Sequence, residues 1–188
     1  VSLDSWDPEP TRDAMTSGVG AIAQATLASG HWFGRADVLL RVETPSALGE
    51  WSYEVVDTKL SANTRASTIL QLCLYSSLVG EIQSLVPESM HVVVPGTEFE
   101  PETYRFNEYG AYYRFVQARL ERGVAAFSGG DDAPYPDPVE QCDICRWWPI
   151  CNSQWRSDDH LSFVADIQRS QRVELQELSI NTLHDLAE

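Results

Sequence analysis

HWFGRADVLLRVE (31–43), TPSALGE (44–50) and WSYEVVDTKL (51–60) together form the stretch that decides the fold. The outer runs are rich in aromatic and branched residues, and the middle run is rich in turn formers. They predict two strands joined as a hairpin through a looped connection. Side chains alternate along a strand, so Asp57 and Lys59 share a face. In a hairpin, Asp37 approaches Asp57. Two converging carboxylates repel, and both ionise comfortably only when a cation lies between them. Mg²⁺ or Mn²⁺ suits such oxygen ligands and keeps several waters. A lysine beside them can orient or deprotonate one of those waters, or neutralise charge on a phosphate. These are the parts that phosphodiester hydrolysis needs. An isolated D-x-K triplet is also common on a charged strand face, so its company matters.

Downstream, Thr64 to Gln83 predicts a helix carrying QLCLY (71–75). Gln71 and Tyr75 are four apart and share a face. That stripe either meets solvent or lies over the carboxylates. MHVVVPG (90–96) predicts a short buried strand, and 97–107 another. Tyr109 to Phe127 predicts a helix bearing Arg114, Arg119 and Arg122. Upstream, VSLDSWDPEP (1–10) reads as a loop. Thr11 to Ser29 predicts a helix with Ala14, Ala21, Ile22, Ala25 and Leu27 on its apolar side and Gly30 at its end, although Gly18 and Gly20 weaken it. The expected order is helix, strand, strand, helix, strand, strand, helix, an α+β or α/β core over 1–130. A cysteine-rich segment (131–160) follows the Gly/Asp/Pro loop 128–141. Leu161, Val164, Ile167, Leu175 and Leu178 then fall at helical spacing, and INTLHDLAE (180–188) predicts an N-cap and short helix, so 161–188 reads as a helical segment leading to a further domain.

Composition bounds the function. The 188 residues are 43% hydrophobic and 22% charged, which suits a packed core and argues against disorder. Thirteen basic against 28 acidic residues leave a net charge of −15. A protein that coats nucleic acid by broad phosphate neutralisation is usually basic. Any nucleic-acid role here therefore needs a local patch, a metal ion or a partner. Lys59 is the only lysine, the other basic residues being arginines. No apolar run is long enough for a membrane span, and no leader pattern is visible, so a cytoplasmic location without membrane contact is expected. The chain begins at Val1, and sequence ahead of it is allowed for.

Cys142, Cys145 and Cys151 read C-x-x-C, five residues, C. Two thiolates on one turn with a third in reach suit a tetrahedral metal or an iron–sulfur cluster. The alternatives are three buried cysteines or a disulfide, and a disulfide is disfavoured in a cytoplasmic chain. Trp147, Trp148 and Trp155 crowd this segment. They either stack on unpaired bases or pack the loop around a metal knot, and packing is the favoured reading. Arg146 and Arg156 make the best local basic patch, so Arg146, Trp147, Trp148 and Arg156 are the candidate nucleic-acid contacts.

GRAD (34–37), YEVVDTK (53–59) and QLCLY (71–75) together resemble the G-x-x-D, D-x-K and Q-x-x-x-Y motifs of RecB-type nucleases in the PD-(D/E)xK superfamily. WSYEVVDTKL, QLCLYS, YPDPVEQCDICRWWPIC and DDHLS extend the resemblance from about Gly30 to the end. It implies a restriction-endonuclease-like core, with a central mixed sheet flanked by helices. Asp37 and Asp57 would ligate Mg²⁺ or Mn²⁺, and the Thr58 carbonyl would face the metal. Lys59 would activate water, and Gln71 and Tyr75 would complete the site. The implied substrate is DNA, at single-stranded ends, in repair or processing. A helicase or RNase-H-like domain is the implied neighbour in a longer chain.

Members with an iron staple hold a [4Fe–4S] cluster with one N-terminal Cys plus a C-x-x-C-x5-C set. The three later positions match Cys142, Cys145 and Cys151, whereas Cys73 lies inside QLCLY and reads as core packing. The fourth ligand is expected outside this chain, or from His160 or an aspartate, with zinc as the alternative metal. Many members add a His on a helix ahead of the first Asp. His31 sits at a strand edge instead, so that ligand is expected ahead of Val1. His91 and His184 read as structural or solvent-facing. Two other readings stay open: a non-catalytic nuclease-like module docked on a helicase, and a zinc-binding scaffold without a nucleic-acid role.

Overall fold

A computed structural model describes residues 1–96, 100–126 and 135–188. The chain divides into two compact units, Val1–Ala126 and Phe127–Glu188. The boundary expected at 130 lies outside the described residues.

The first unit is α+β. Its elements are α1 (Glu9–Thr16), β1 (Ala21–Ser29), β2 (Trp32–Val42), β3 (Ser52–Thr58), α2 (Ala66–Gln83), β4 (Ser89–Val93), β5 (Glu102–Arg105) and α3 (Phe106–Ala126). One open mixed sheet runs β1-β2-β3-β4-β5. β3 and β4 are parallel, because α2 carries the chain back between them, and every other pair is antiparallel. The expected β2–β3 hairpin is present, with Val38 opposite Val56.

α2 packs between the sheet and α3. A helix covered on two sides must be apolar on most of its circumference. Leu72, Cys73, Leu78 and Val79 are buried on it, with Ser76 and Gln83. Gln83 is no stranded amide. Its Oε1 accepts from Tyr53 N–H at 2.8 Å, and its Nε2 donates to the carbonyls of Leu85 (2.8 Å) and Tyr53 (3.3 Å).

The helix expected over 11–29 is not formed as one element. α1 stops at Thr16, Gly18 takes φ +69°, and Ala21–Ser29 becomes the edge strand β1. Alanine-rich sequence favours a helix locally, but β2 needs a second partner for its backbone groups. Pairing Ile22 with Leu39 and Leu27 with Gly34 supplies those bonds and buries both apolar partners in β1, so tertiary context overrides propensity.

The sheet carries one local distortion. Gln24, mid-strand in β1, has φ +56°. Buried positions step from Ile22 to Ala25 on β1, and from Leu39 to Ala36 on β2. The in-and-out alternation therefore slips by one residue at the level of Gln24 and Asp37. Arg35 Nε donates to the Gln24 carbonyl at 3.2 Å and steadies the kink.

The second unit contains a 3₁₀ turn (Glu140–Ile144), α4 (Trp148–Ser157), a second 3₁₀ turn (Leu161–Phe163), α5 (Arg169–Glu177) and α6 (Leu183–Ala187). The stretch expected to be helical from Leu161 is interrupted, since Asp166 takes φ +58° before α5 begins. Thr182 caps α6 by accepting from Asp185 N–H at 3.0 Å. Trp155 and Leu161 form its small apolar centre, beside a buried Arg172 paired with Asp137 at 2.6 Å. No helix among the described residues is long and apolar enough to cross a membrane.

Candidate functional site

Asp57 closes β3 on the face that carries Tyr53 and Val55, both buried. This is the face that α2 covers. Asp57 is itself only 2% exposed. Continuing the β2–β3 register from Val38 opposite Val56 sets Asp37 across from it, and each carboxyl acts on the other's ionisation. Thr58 holds Asp37 in place: its N–H and its hydroxyl both donate to Asp37 Oδ2, at 2.8 and 2.6 Å.

Lys59 Nζ lies 2.5 Å from Asp57 Oδ2. That oxygen is buried, so the contact is an ion pair largely shielded from water. Lys59 Nζ also donates to Gln71 Oε1 at 3.1 Å. A lysine only donates, so the Gln71 oxygen must face it. The amide nitrogen is then free to donate to Tyr75 OH, at 2.9 Å. The predicted residues Asp37, Asp57, Thr58, Lys59, Gln71 and Tyr75 thus form one continuous polar chain, from β2 through β3 to α2.

The two carboxyls are not equivalent. Burial raises Asp57 above the ordinary aspartate range; Lys59 pulls it down without cancelling that, and Asp37 adds to the rise. Burial works the same way on Asp37, but the two Thr58 hydrogen bonds, helped by Asp57 and Lys59, outweigh it and hold Asp37 below that range. Asp37 therefore ionises first, and Asp57 gives up its proton reluctantly.

Gly34 opens GRAD, and its role becomes clear only in three dimensions. A Cβ built there would lie 2.3 Å from Tyr75 Cε1. The first motif's glycine makes room for the last motif's tyrosine. A glycine inside a strand often marks such a close approach, which was the available signal. Gln24 and the Thr58 hydroxyl left no signal in the sequence.

Other candidates lie elsewhere. His31 is exposed in the β1–β2 turn. His91 bridges Glu54 (2.8 Å) and Thr103 (3.1 Å) across β3, β4 and β5, a structural role. His184 is exposed on α6.

In the second unit, Cys142 lies in the 3₁₀ turn, Cys145 follows it and Cys151 lies on α4; all three are free and half-buried. Val139 N–H donates to Cys142 Sγ at 3.4 Å. Among the described residues, no three His, Cys, Asp or Glu side chains gather tightly enough to hold a metal. His160 is spoken for at Nδ1, which accepts from Ser162 N–H at 3.2 Å, and its ring lies against Tyr135 and Trp155. Arg146 stacks on Trp147 and Arg156 on Phe163, each at 4.8 Å. Trp155 is buried and edge-on to Trp148, while Trp147 and Trp148 remain exposed.

Compared with known proteins, the sequence matches no family model and none of the curated proteins.

Proposed function

We propose that the first unit is a RecB-like nuclease domain of the PD-(D/E)xK type, hydrolysing DNA phosphodiester bonds at single-stranded ends with Mg²⁺ or Mn²⁺. The observation that carries this reading is the meeting of Asp37, a buried Asp57 and the chain's only lysine at one point. A purely structural ion pair gains nothing from a second carboxylate beside it, whereas a cation site requires one. The donors fit a hard divalent ion: Asp37 and Asp57 would hold it, with Thr58 alongside. Bound there, such an ion supplies Lewis-acid polarisation of the phosphate.

The chain's own residues have distinct tasks. Lys59 presents Nζ to the carboxylate pair, where it can orient a water or neutralise a phosphate oxygen. Gln71 fixes the direction of Nζ, and Tyr75 fixes Gln71. Thr58 keeps Asp37 ionised and aimed. The test is Mn²⁺-dependent cleavage of single-stranded DNA by the full chain against Asp57→Ala. Cleavage only by the unsubstituted protein is expected, and equal cleavage by both removes the claim. Calorimetry showing no Mn²⁺ site dependent on Asp37 would favour the non-catalytic module.

For the second unit the proposal is limited to supplying ligands. Cys142, Cys145 and Cys151 would donate three thiolates to an iron–sulfur cluster, with zinc as the alternative and the fourth donor coming from elsewhere. Three donors fall one short of a closed site, so no step of the chemistry depends on it. Anaerobically purified protein is expected to contain iron and sulfide, and to lose both in Cys145→Ser. Stoichiometric zinc without iron would decide for the alternative, and neither metal would end the proposal.

A further inference from the structure

Arg114, Arg119 and Arg122 of α3 take no part in the site on the sheet. Gly110 and Tyr113 mark the buried side of this helix. Away from that side, Tyr112, Phe115, Arg119 and Arg122 follow one another by three, four and three residues, which sets them in one stripe along the helix. The stripe is about 15 Å long at the helical rise. Tyr112 is 62% exposed and Phe115 57%. Their rings stack on each other, with centroids 6.4 Å apart and planes 27° from parallel. Two large rings thus stand ordered in water, with faces free for a further flat group.

Charge says what covers them. Among the described residues, none of the three arginines joins an ion pair. Arg122 Nε donates to the Ala118 carbonyl of its own helix at 3.2 Å, which leaves its terminal nitrogens open. Glu121 is turned away from the stripe, accepting from Trp32 Nε1 at 2.7 Å and from Gln117 Nε2 at 3.2 Å. Glu108 alone shares the stripe's line. In a chain of net charge −15 this is a local basic surface, which a nucleic-acid role requires. Leu120 and Val124, the branched side chains that a protein partner would bury, lie instead in a cavity beside Trp32 on the other side of α3. The stripe itself offers rings, which stack on a base of any sequence, and guanidiniums, which pair with phosphate.

We propose that the outer face of α3 is a stacking platform for single-stranded DNA, with unpaired bases on Tyr112 and Phe115 and the adjoining phosphates on Arg119 and Arg122. Arg114 adds positive charge on the flank. The inference rests on the nuclease reading for its substrate and deepens that reading. Because α2 lies between α3 and the sheet, the platform is separate from Asp37 and Asp57. It holds a part of the strand away from the phosphate that reacts.

The test is fluorescence anisotropy of the full chain in EDTA, with a short labelled oligothymidylate, an abasic strand of the same length, and polyglutamate as competitor. Saturable binding to oligothymidylate is expected, with the abasic strand about tenfold weaker. Tyr112→Ala and Phe115→Ala should each weaken oligothymidylate binding about tenfold, as the loss of a stacked base implies, and leave the abasic strand unaffected. Arg119→Gln and Arg122→Gln should each flatten the slope of log K against log salt by about 0.7. All four side chains are exposed, so folding is not at stake. No saturable binding, equal affinity for the abasic strand, or unchanged affinity in both ring variants overturns the proposal. Polyglutamate competing as well as oligothymidylate overturns it too, making the face a dock for an acidic protein. The measurement needs neither metal nor turnover. Binding with these signatures but without Mn²⁺-dependent cleavage would therefore sink the nuclease reading alone, and cleavage by a chain whose affinity ignores both rings would sink the platform alone.

Discussion

Asp57→Asn is expected to stop metal-dependent cleavage, by about three orders of magnitude or more, since a lost metal ligand removes several kcal/mol of charge stabilisation. The same variant is expected to raise the Tm of the metal-free protein at neutral pH. Burial pushes the Asp57 carboxyl above its ordinary value of 3.8, and Lys59 does not offset that push completely. The folded chain therefore holds this proton more tightly than the unfolded chain does. The stability it contributes is fully present below 3.8 and is lost as pH rises through the folded value. Above that window the ionised carboxylate is a cost that an amide of the same shape does not carry.

The difference in Tm between Asp57→Asn and the unsubstituted protein should therefore shrink as pH falls and vanish where both side chains are neutral. Asp37 works in the opposite direction. Held below its ordinary value by Thr58, it contributes stability above 3.8 that is lost as pH falls through its folded value. Acid sensitivity thus belongs to the Asp37–Thr58 pair. Scanning calorimetry over a pH series checks both slopes. Mn²⁺ should raise the Tm of the unsubstituted protein and leave Asp57→Asn unmoved. A lower neutral-pH Tm for Asp57→Asn would make the Asp57–Lys59 contact a structural bridge and take away the main support for a cation site.

Gly34→Ala is expected to cost about 2 kcal/mol in stability, as overpacking a filled site does, and to slow cleavage as well. The backbone at Gly34 would accept any residue; the obstacle is space. The new Cβ would sit 2.3 Å from Tyr75 Cε1 and 3.1 Å from Cδ1. Tyr75 is buried and has little room to give. Either β2 shifts, moving Asp37, or the ring swings, taking its hydroxyl from Gln71 and loosening the hold on Lys59. Tyr75→Phe separates these effects, because it removes the hydroxyl and keeps the ring. It should lower cleavage while leaving stability nearly unchanged.

In a double-mutant cycle by urea unfolding, Gly34→Ala should cost far less in a Tyr75→Ala background, where the methyl group occupies vacated space. Equal costs in both backgrounds would mean that the glycine and the tyrosine are not coupled.

The local chemistry of particular residues made much of this legible. Alternation in WSYEVVDTKL set Asp57 and Lys59 on one face, and the turn formers of 44–50 set the hairpin that brings Asp37 across. The four-residue step in QLCLY put Gln71 and Tyr75 on one side of α2. These are short-range consequences of strand and helix periods, so a sequence records them directly. The 11–29 segment was not legible in the same way. Its alanines favour a helix, and only the open edge of β2 turns Ala21–Ser29 into a strand. The kink at Gln24, the grip of Thr58 on Asp37 and the space that Gly34 leaves for Tyr75 likewise depend on partners distant in the chain.

The sequence by itself determined which residues carry charge and on which face of each element they stand, because backbone geometry dictates side-chain period. Tertiary structure alone decided which faces meet, how deeply Asp57 is buried and where α2 points its N-terminus. Those depend on long-range pairing and exclusion of water, which no local stretch of chain contains.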